Sequence, residues 1–275
     1  MSGDTNLATS ALYEPAWHRF LSPHYDDVSI SCGGTAALLA AHDLAPEVVI
    51  VFSEDEPNGP KSAFANEQHA RWKLTDETVR LGRQREESAA ATFLGTVVRL
   101  LPFADAIYRG DRYLNDEQLF GPAREDEADL PLKIATSLGL TGPPDSTVRI
   151  YAPLGFGNHV DHQHVFAAAK AAAESGWDVW FYEDLPYGLE PAVREARFAE
   201  LRRRKVEIEI ASLIDVSASW RRKLDAIMCY ASQLDVIFRH VVTRTDREQI
   251  DRAMSEYARS VSEQPSLVER YWTLK

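Results

Sequence analysis

Residues 21–35, with the sequence LSPHYDDVSISCGGT, decide how the rest of the chain is interpreted. This stretch places the imidazole of His24 and the carboxylates of Asp26 and Asp27 within four residues, after a short apolar run and before an Ala/Leu-rich segment. Such an order predicts a strand, then a loop, then a helix. In an open α/β sheet, ligands bind where strands end and helices begin, so this loop is a candidate site.

A second loop, later in the chain, has the same arrangement. An apolar run at residues 148–154 is followed by a glycine-containing turn, then by His159, Asp161 and His162 at the start of a helix-forming segment. The carboxyl ends of parallel strands lie at one edge of a sheet. We therefore expect the two loops to meet and to form one site.

Apolar, β-branched runs alternate with helix-forming segments through most of the chain. Strands are predicted at residues 18–23, 48–53, 96–101, 148–154, 177–182 and 206–210. Helices are predicted at residues 28–42, 67–94 with a break near Gly82, 130–138, 160–173, 191–205, 217–230 and 246–260. This alternation predicts an α/β fold with a mainly parallel sheet and helices on both faces. We expect a single domain over residues 1–275, of which residues 1–12 are flexible.

The composition limits the classes of protein to which the chain can belong. Of its 275 residues, 45% are hydrophobic and 26% are charged, which is typical of a globular domain. The formal net charge of -12 argues against binding to nucleic acid or to an anionic membrane, because both need basic surface. No apolar run approaches the ~20 residues of a spanning helix. Two cysteines without a leader-like start predict a cytoplasmic, reduced protein.

The residues of the two loops suit a catalytic zinc ion. Such an ion takes three protein ligands and keeps a fourth position for water. His24, Asp27 and His162 supply that number of nitrogen and oxygen donors. Asp26 is then a free carboxylate, which can act as the general base that takes a proton from water.

The other two polar residues of the second loop have predicted catalytic roles as well. His159 can protonate a leaving amine or stabilise an oxyanion, and Asp161 can accept a hydrogen bond from a ligating imidazole. Each group also has a purely structural interpretation, because a single histidine is often structural and an Asp-Asp pair often caps a helix. The clustering on two loops favours the site. His18 and His164 are interpreted as structural.

A polar, aromatic segment at residues 104–113 is a candidate for substrate contact. Tyr108, Arg109, Arg112 and Tyr113 lie close together there, and long connections of this kind are often functional. A plain surface loop explains the same pattern equally well. We expect this segment to overhang the metal, together with residues 54–61 and 183–187. The three segments are expected to determine the substrate specificity.

The two loops resemble the hallmarks of the PIG-L/LmbE family of metal-dependent N-deacetylases, on the residues His24-Tyr25-Asp26-Asp27 and His159-Val160-Asp161-His162. The resemblance implies a Rossmann-like α/β fold and hydrolysis of N-acyl groups of amino sugars and their conjugates. It also implies Zn²⁺, or Fe²⁺ in the cell, as the cofactor. The roles it implies are those given above: His24, Asp27 and His162 bind the metal, Asp26 is the base, and His159 assists.

The chain departs from the family pattern at three positions. Tyr25 replaces a proline, and Val28 stands where a glutamate is common. Gly157 occupies the position at which some relatives have a tyrosine that assists the transition state. We expect Tyr108 or Tyr182 to reach the site in its place.

Three functions remain open from the sequence. The first is a zinc-dependent hydrolase that removes an N-acetyl or other N-acyl group from an amino sugar or a glycosylated small molecule. The second is a metal-dependent phosphoesterase, although two-metal phosphoryl chemistry needs more ligands than these loops provide. The third is a non-catalytic metal-binding domain, for which the free carboxylate of Asp26 would be unnecessary.

Overall fold

The structure, a computed structural model, describes residues 11–54, 61–75 and 78–275. Most of the predicted flexible start and residues 55–60 of the acidic turn therefore lie outside the described residues. Leu12, by contrast, is fully buried in the core.

Seven strands and ten α-helices form the described part of the chain. The strands are β1 (Trp17–Ser22), β2 (Glu47–Ile50), β3 (Val97–Leu100), β4 (Val148–Pro153), β5 (Asp178–Tyr182), β6 (Ile208–Asp215) and β7 (Val268–Leu274). The helices are α1 (Asp27–Ala40), α2 (Ala63–Arg71), α3 (Val79–Leu94), α4 (Asp116–Leu119), α5 (Leu130–Ser137), α6 (Val160–Glu174), α7 (Pro191–Arg203), α8 (Trp220–Ile227), α9 (Leu234–Ile237) and α10 (Arg247–Ser260).

The strands form one sheet in the order β3-β2-β1-β4-β5-β7-β6. The first five are parallel, and β7 runs antiparallel to both of its neighbours. The predicted α/β fold with a mainly parallel sheet is thereby confirmed. Because β1 pairs directly with β4 at the centre, with Arg19 opposite Ile150, the loops that follow these two strands emerge side by side. This is the point at which the strand order reverses, where ligands bind in such sheets.

Both faces of the sheet are covered, as the continuous apolar runs of its strands predict. Successive residues of β1 enter different parts of the core: Phe20 packs in one hydrophobic cluster and Leu21 in the other. Val48 and Val49 of β2 divide in the same way. The central strands are therefore buried on both sides. Polar side chains are found after the carboxyl ends of these strands, where the site loops begin.

Several elements differ from the sequence-based prediction: the short helices α4 and α9 were not predicted, and β6 extends to Asp215. The last strand, β7, is seven residues long and lies where no strand was predicted. The ring of its Tyr271 lies 5.5 Å from that of Tyr151 and 5.6 Å from that of Trp180, between centroids.

The helix predicted at residues 67–94 is two helices, of which the first ends at Arg71 and the second begins at Val79, so the predicted break near Gly82 is wrong. Gly82 lies inside α3, where a Cβ would come within 3.3 Å of the Leu74 side chain.

Strand β7 also fixes the helix that carries the first site loop. Glu269 accepts hydrogen bonds from the backbone N–H groups of Gly34 (3.0 Å) and Thr35 (2.8 Å) and from the Thr35 hydroxyl (2.6 Å). The buried Lys223 ammonium pairs with the same carboxylate at 2.7 Å. These contacts fix α1 beyond a kink at Cys32, which has a φ of -134° and a ψ of 22°.

We predict that Gly34→Ala destabilises the protein by about 1–3 kcal/mol, the usual cost of overpacking a filled core. A Cβ at Gly34 would lie 2.8 Å from both Glu269 Oε1 and Val216 Cβ. Gly33→Ala is the matched control, because its Cβ would meet nothing closer than 3.4 Å and alanine is the better helix former. Urea unfolding measures both. Equal stability of the two variants would contradict the conclusion that Gly34 is closely packed against Glu269.

Candidate metal centre

The two predicted loops meet at the carboxyl edge of β1 and β4. The ring of His24 lies 4.7 Å from that of His159 and 5.4 Å from that of His162, between centroids. His159 and His162 are also 5.4 Å apart. Ligand nitrogens of all three rings fall within 4.8 Å of one another, and all three residues are buried. The structure therefore brings the histidines of the two loops into one cluster.

Asp27 bridges two of these rings. Its Oδ2 lies 3.3 Å from Nδ1 of His24, and its Oδ1 lies 3.4 Å from Nε2 of His162. Two atoms that each bind a tetrahedral zinc at about 2.1 Å are roughly 3.4 Å from each other. The two distances involve different oxygens of Asp27, and among the described residues the groups whose ligand atoms all lie within 4.8 Å of one another are His24, His159 and His162, and His24, Asp105 and Asp161. The assignment of His24, Asp27 and His162 as the metal ligands stays a prediction.

Both imidazoles are held from behind by a carboxylate. Nε2 of His24 donates to Asp161 at 2.9 Å, and Nδ1 of His162 donates to Asp184 at 2.6 Å. Such outer partners fix the tautomer and the orientation of a metal-ligating histidine. The nitrogens that remain, Nδ1 of His24 and Nε2 of His162, are the two that face Asp27.

Asp161 is itself anchored on its far side. It accepts hydrogen bonds from the Ala106 backbone N–H at 3.0 Å and from the Arg109 guanidinium at 2.6 Å. Burial alone would raise the pKa of Asp161, but the charges of Arg109 and His24 lower it below its ordinary value. Arg109 in turn donates to Glu127 at 2.8 Å. The carboxylate behind His24 is therefore ionised and fixed in place.

Asp184 contacts a predicted metal ligand, and the sequence analysis did not single it out. One of its oxygens accepts from His162, and the other accepts from the backbone N–H groups of Gly155 (2.6 Å) and Phe156 (3.0 Å). It lies two residues after β5 and is 1% exposed. The sequence contained a signal for this residue. Asp184 is a carboxylate that follows a predicted strand, within residues 183–187, which were predicted to border the site.

His24 lies among three carboxylates. Burial lowers the pKa of its ring, but Asp105, Asp161 and Asp27 outweigh burial and raise that pKa well above its ordinary value. Asp105 lies 3.7 Å from Nε2 of His24, on the opposite side of the ring from Asp27. His24, Asp105 and Asp161 consequently form a second group whose ligand atoms are close enough to hold an ion.

Asp26 lines the cavity beside the histidines. Burial, and next the negative charge of Asp27, raise the pKa of Asp26 to about 6. A buried carboxyl with a pKa near the working pH is suited to proton transfer, since it can both accept and release a proton there. Arg83, whose guanidinium opposes this shift, lines the same cavity.

His159 presents a defined nitrogen to the cavity. Its Nδ1 accepts a hydrogen bond from the Asp161 backbone N–H at 3.2 Å. Burial, followed by the charge of His24, lowers the pKa of His159 well below its ordinary value. The ring is therefore neutral, and because Nδ1 accepts, its proton is on Nε2. This nitrogen is available as a hydrogen-bond donor.

The cavity next to these residues has a volume of about 110 Å³. Its lining includes four of the predicted site residues: His24, Asp26, Asp27 and His159. Aromatic and amide side chains contribute to the remaining wall, among them Gln68, Trp72, Phe120, Tyr187 and Gln233.

None of the five side chains predicted to contact substrate lines this cavity within the described part of the chain. Their polar ends bond other residues of the protein, and a role in substrate contact stays a prediction. Tyr182 donates to the Leu21 carbonyl (2.8 Å), Tyr113 donates to Glu127 (2.6 Å), Tyr108 lies 2.5 Å from Nε2 of His69, Arg109 is engaged by Asp161 and Glu127, and Arg112 donates to Asp126 (3.0 Å).

A different tyrosine, Tyr187, lies on the cavity wall. Its ring is 6.0 Å from that of His162 and 6.0 Å from that of Phe120, between centroids. It occupies the space above Gly157: a Cβ there would lie 2.5 Å from Cγ of Tyr187. The glycine has a φ of +81°, a conformation that favours glycine. Tyr187, rather than Tyr108 or Tyr182, is therefore the tyrosine that lines the cavity in the described part of the chain.

The two histidines that were predicted to be structural have protein partners. His18 Nδ1 lies 3.0 Å from the Tyr151 hydroxyl, and His164 Nε2 lies 3.2 Å from Glu127. Burial, and next the charge of Arg149, lower the pKa of His18 to about 4.

Comparison with known proteins finds relatives over most of the chain. The PIG-L family model, described as GlcNAc-PI de-N-acetylase, matches residues 19–173. A 2'-N-acetylparomamine deacetylase of Streptomyces fradiae is 33% identical over 218 residues, which cover 78% of this chain and 72% of the relative. A protein of the same name from Niallia circulans is 29% identical over 61% of this chain and 66% of its own length.

Solved structures share the fold over nearly the whole chain. The A40926 pseudoaglycone deacetylase Dbv21 is 25% identical, with a TM-score of 0.69 over 94% of this chain and 96% of that protein. The zinc-inhibited form of the teicoplanin deacetylase Orf2 is 22% identical, with a TM-score of 0.73 over 94% and 98%. Among the described residues, no helix combines the length and apolar character needed to cross a membrane.

We predict that Asp184→Asn lowers the affinity for zinc by about 10- to 100-fold, the usual effect of losing an outer partner of a ligand. Asp184 uses both carboxylate oxygens as acceptors, whereas an asparagine offers only one. Competition with a chromogenic chelator measures the affinity, with Asp129→Asn, an exposed carboxylate (63%), as the control. Wild-type affinity in Asp184→Asn would show that this contact does not support a metal ligand.

Proposed function

This chain belongs to the PIG-L family, and we propose that it is a zinc-dependent hydrolase that removes an N-acetyl group from an amino sugar or a glycosylated small molecule. One observation carries the proposal. Two imidazoles, each held from behind by a carboxylate, face a third carboxylate at 3.3 and 3.4 Å, beside a cavity that contains a free aspartate.

His24, Asp27 and His162 would hold the metal. Their donor types suit zinc, and Fe²⁺ is the alternative ion, since imidazole and carboxylate ligands bind both. A divalent ion held there would supply positive charge beside the amide oxygen and a lowered pKa for water. Because a teicoplanin deacetylase is described in a zinc-inhibited form, both ions belong in any assay of this protein.

Two residues of the chain would move the protons. Asp26, with its pKa raised to about 6, would accept the proton of the attacking water. His159, which carries its proton on Nε2, would donate a hydrogen bond to the developing oxyanion or to the leaving amine. Asp161 would act through His24, as the carboxylate that orients it, and is therefore a positioning residue.

The substrate class is inferred from the relatives and from the cavity wall. The curated relatives are named as deacetylases of 2'-N-acetylparomamine, an acetylated amino sugar compound. Aromatic side chains such as Trp72, Phe120 and Tyr187 line the cavity. Their flat apolar faces and polar edges suit a sugar ring.

We predict that Asp26→Asn keeps its metal and lowers kcat for acetate release by roughly 10²–10⁴-fold, because an amide cannot accept the proton. Asp27→Asn should instead lose metal and activity together. The assay measures acetate released from N-acetylparomamine by zinc- and iron-loaded protein, with metal content determined by elemental analysis. Asp43→Asn, at an exposed residue that already has a positive φ, is the control.

Two outcomes would contradict this assignment. A metal-free Asp26→Asn beside a metal-loaded Asp27→Asn would show that the two carboxylates have exchanged roles. Unchanged turnover in both variants would remove the deacetylase mechanism altogether. A phosphodiester, tested in parallel, should not be hydrolysed by the metal-loaded protein.

A further inference from the structure

One face of α2 forms part of the cavity wall. Gln68, Arg71 and Trp72 all line the cavity, and residues separated by three or four positions lie on the same side of a helix. The helical geometry continues to Trp72, whose N–H donates to the Gln68 carbonyl at 2.9 Å. An amide and an indole, one turn apart, therefore face the same space as His24 and Asp26.

The side chain of Gln68 has no partner in the protein that explains its position. The residue is only 5% exposed, yet its amide makes no hydrogen bond to any residue that the structure describes. The amide is not among the buried polar atoms that lack a partner, so it reaches the space of the cavity. There it can bond water or a molecule bound in the cavity.

Trp72 is held rigidly in place. It is 7% exposed, the Arg83 guanidinium lies 4.8 Å from its ring centroid, and the His69 ring stacks on it at 5.7 Å. No described residue accepts a hydrogen bond from its indole N–H. A fixed aromatic ring next to an uncommitted amide is an arrangement that can bind a hydroxylated ring, with apolar contact and hydrogen bonds together.

We propose that Gln68 and Trp72 form the subsite that recognises the sugar ring, and that the Gln68 amide bonds a ring hydroxyl. The inference rests on the function proposed above and adds the residues that select its substrate. An amide can both donate to a hydroxyl and accept from it, without a charge of its own. The amide therefore selects a hydroxylated part of the substrate.

The test compares Gln68→Met with wild type. Methionine has a similar length and volume but no amide. With methyl N-acetylglucosaminide, the Kd from isothermal titration should rise and kcat/KM for acetate release should fall, each by roughly 5- to 100-fold. With N-acetylcyclohexylamine, which lacks ring hydroxyls, kcat/KM should change by less than about twofold, and the metal content should be unchanged. Asn66→Met, on the exposed side of α2, is the matched control.

Thermal stability separates a substrate role from a structural one. Because the amide has no described partner in the protein, the Tm of Gln68→Met should equal or exceed that of wild type. A lowered Tm would show that Gln68 has a structural role. Gln68→Glu, which keeps the shape and one acceptor but loses the N–H donors, should weaken sugar binding while remaining folded.

The failures of the two proposals are distinct. If wild type releases acetate and Gln68→Met matches it on both compounds, the subsite is wrong and the deacetylase stands. Equal losses on both compounds would place Gln68 at the acetamide group and also overturn the subsite, as would an absence of sugar binding to wild type. If the sugar binds in a Gln68-dependent way but no metal-loaded form releases acetate, the subsite stands and the deacetylase falls.

Discussion

The rest of the site depends on the position of the His24 imidazole, which is held between Asp27 on one side and Asp161 on the other. Nδ1 faces Asp27 at 3.3 Å and Nε2 donates to Asp161 at 2.9 Å, so both ring nitrogens are assigned and the ring cannot turn without losing a buried partner. His162 repeats the arrangement with Asp27 and Asp184. Asp27 is common to both, which makes it the centre of the cluster.

The fold produces this geometry by long-range connections. The first loop follows β1 and the second follows β4, and these strands pair at the centre of the sheet. Glu269 of β7 then fixes α1 through two backbone N–H groups. The outer carboxylates come from separate elements: Asp161 from the start of α6, held by Arg109, and Asp184 from the segment after β5. A rigid scaffold of this kind is what a metal site with fixed ligands needs.

Local sequence predicted six of the seven described strands, most of the longer helices and the two polar loops, because apolar runs and site-bearing loops are short-range patterns. Tertiary packing decided the rest. β7 is held by Tyr271 against two other strands, which no local pattern contains. Arg109 has the charge of a substrate-binding residue but is engaged by Asp161 and Glu127, and Tyr187 reaches the cavity only because Gly157 leaves room for its ring.

The central claim is that a metal ion lies on the Asp27 side of His24. A crystal structure of the zinc-loaded protein, with anomalous scattering recorded on both sides of the zinc absorption edge, tests it most directly. The account predicts one anomalous peak bonded to Nδ1 of His24, to Asp27 and to Nε2 of His162. A peak on the opposite side of the ring, bonded to Nε2 of His24, Asp105 and Asp161, would contradict it.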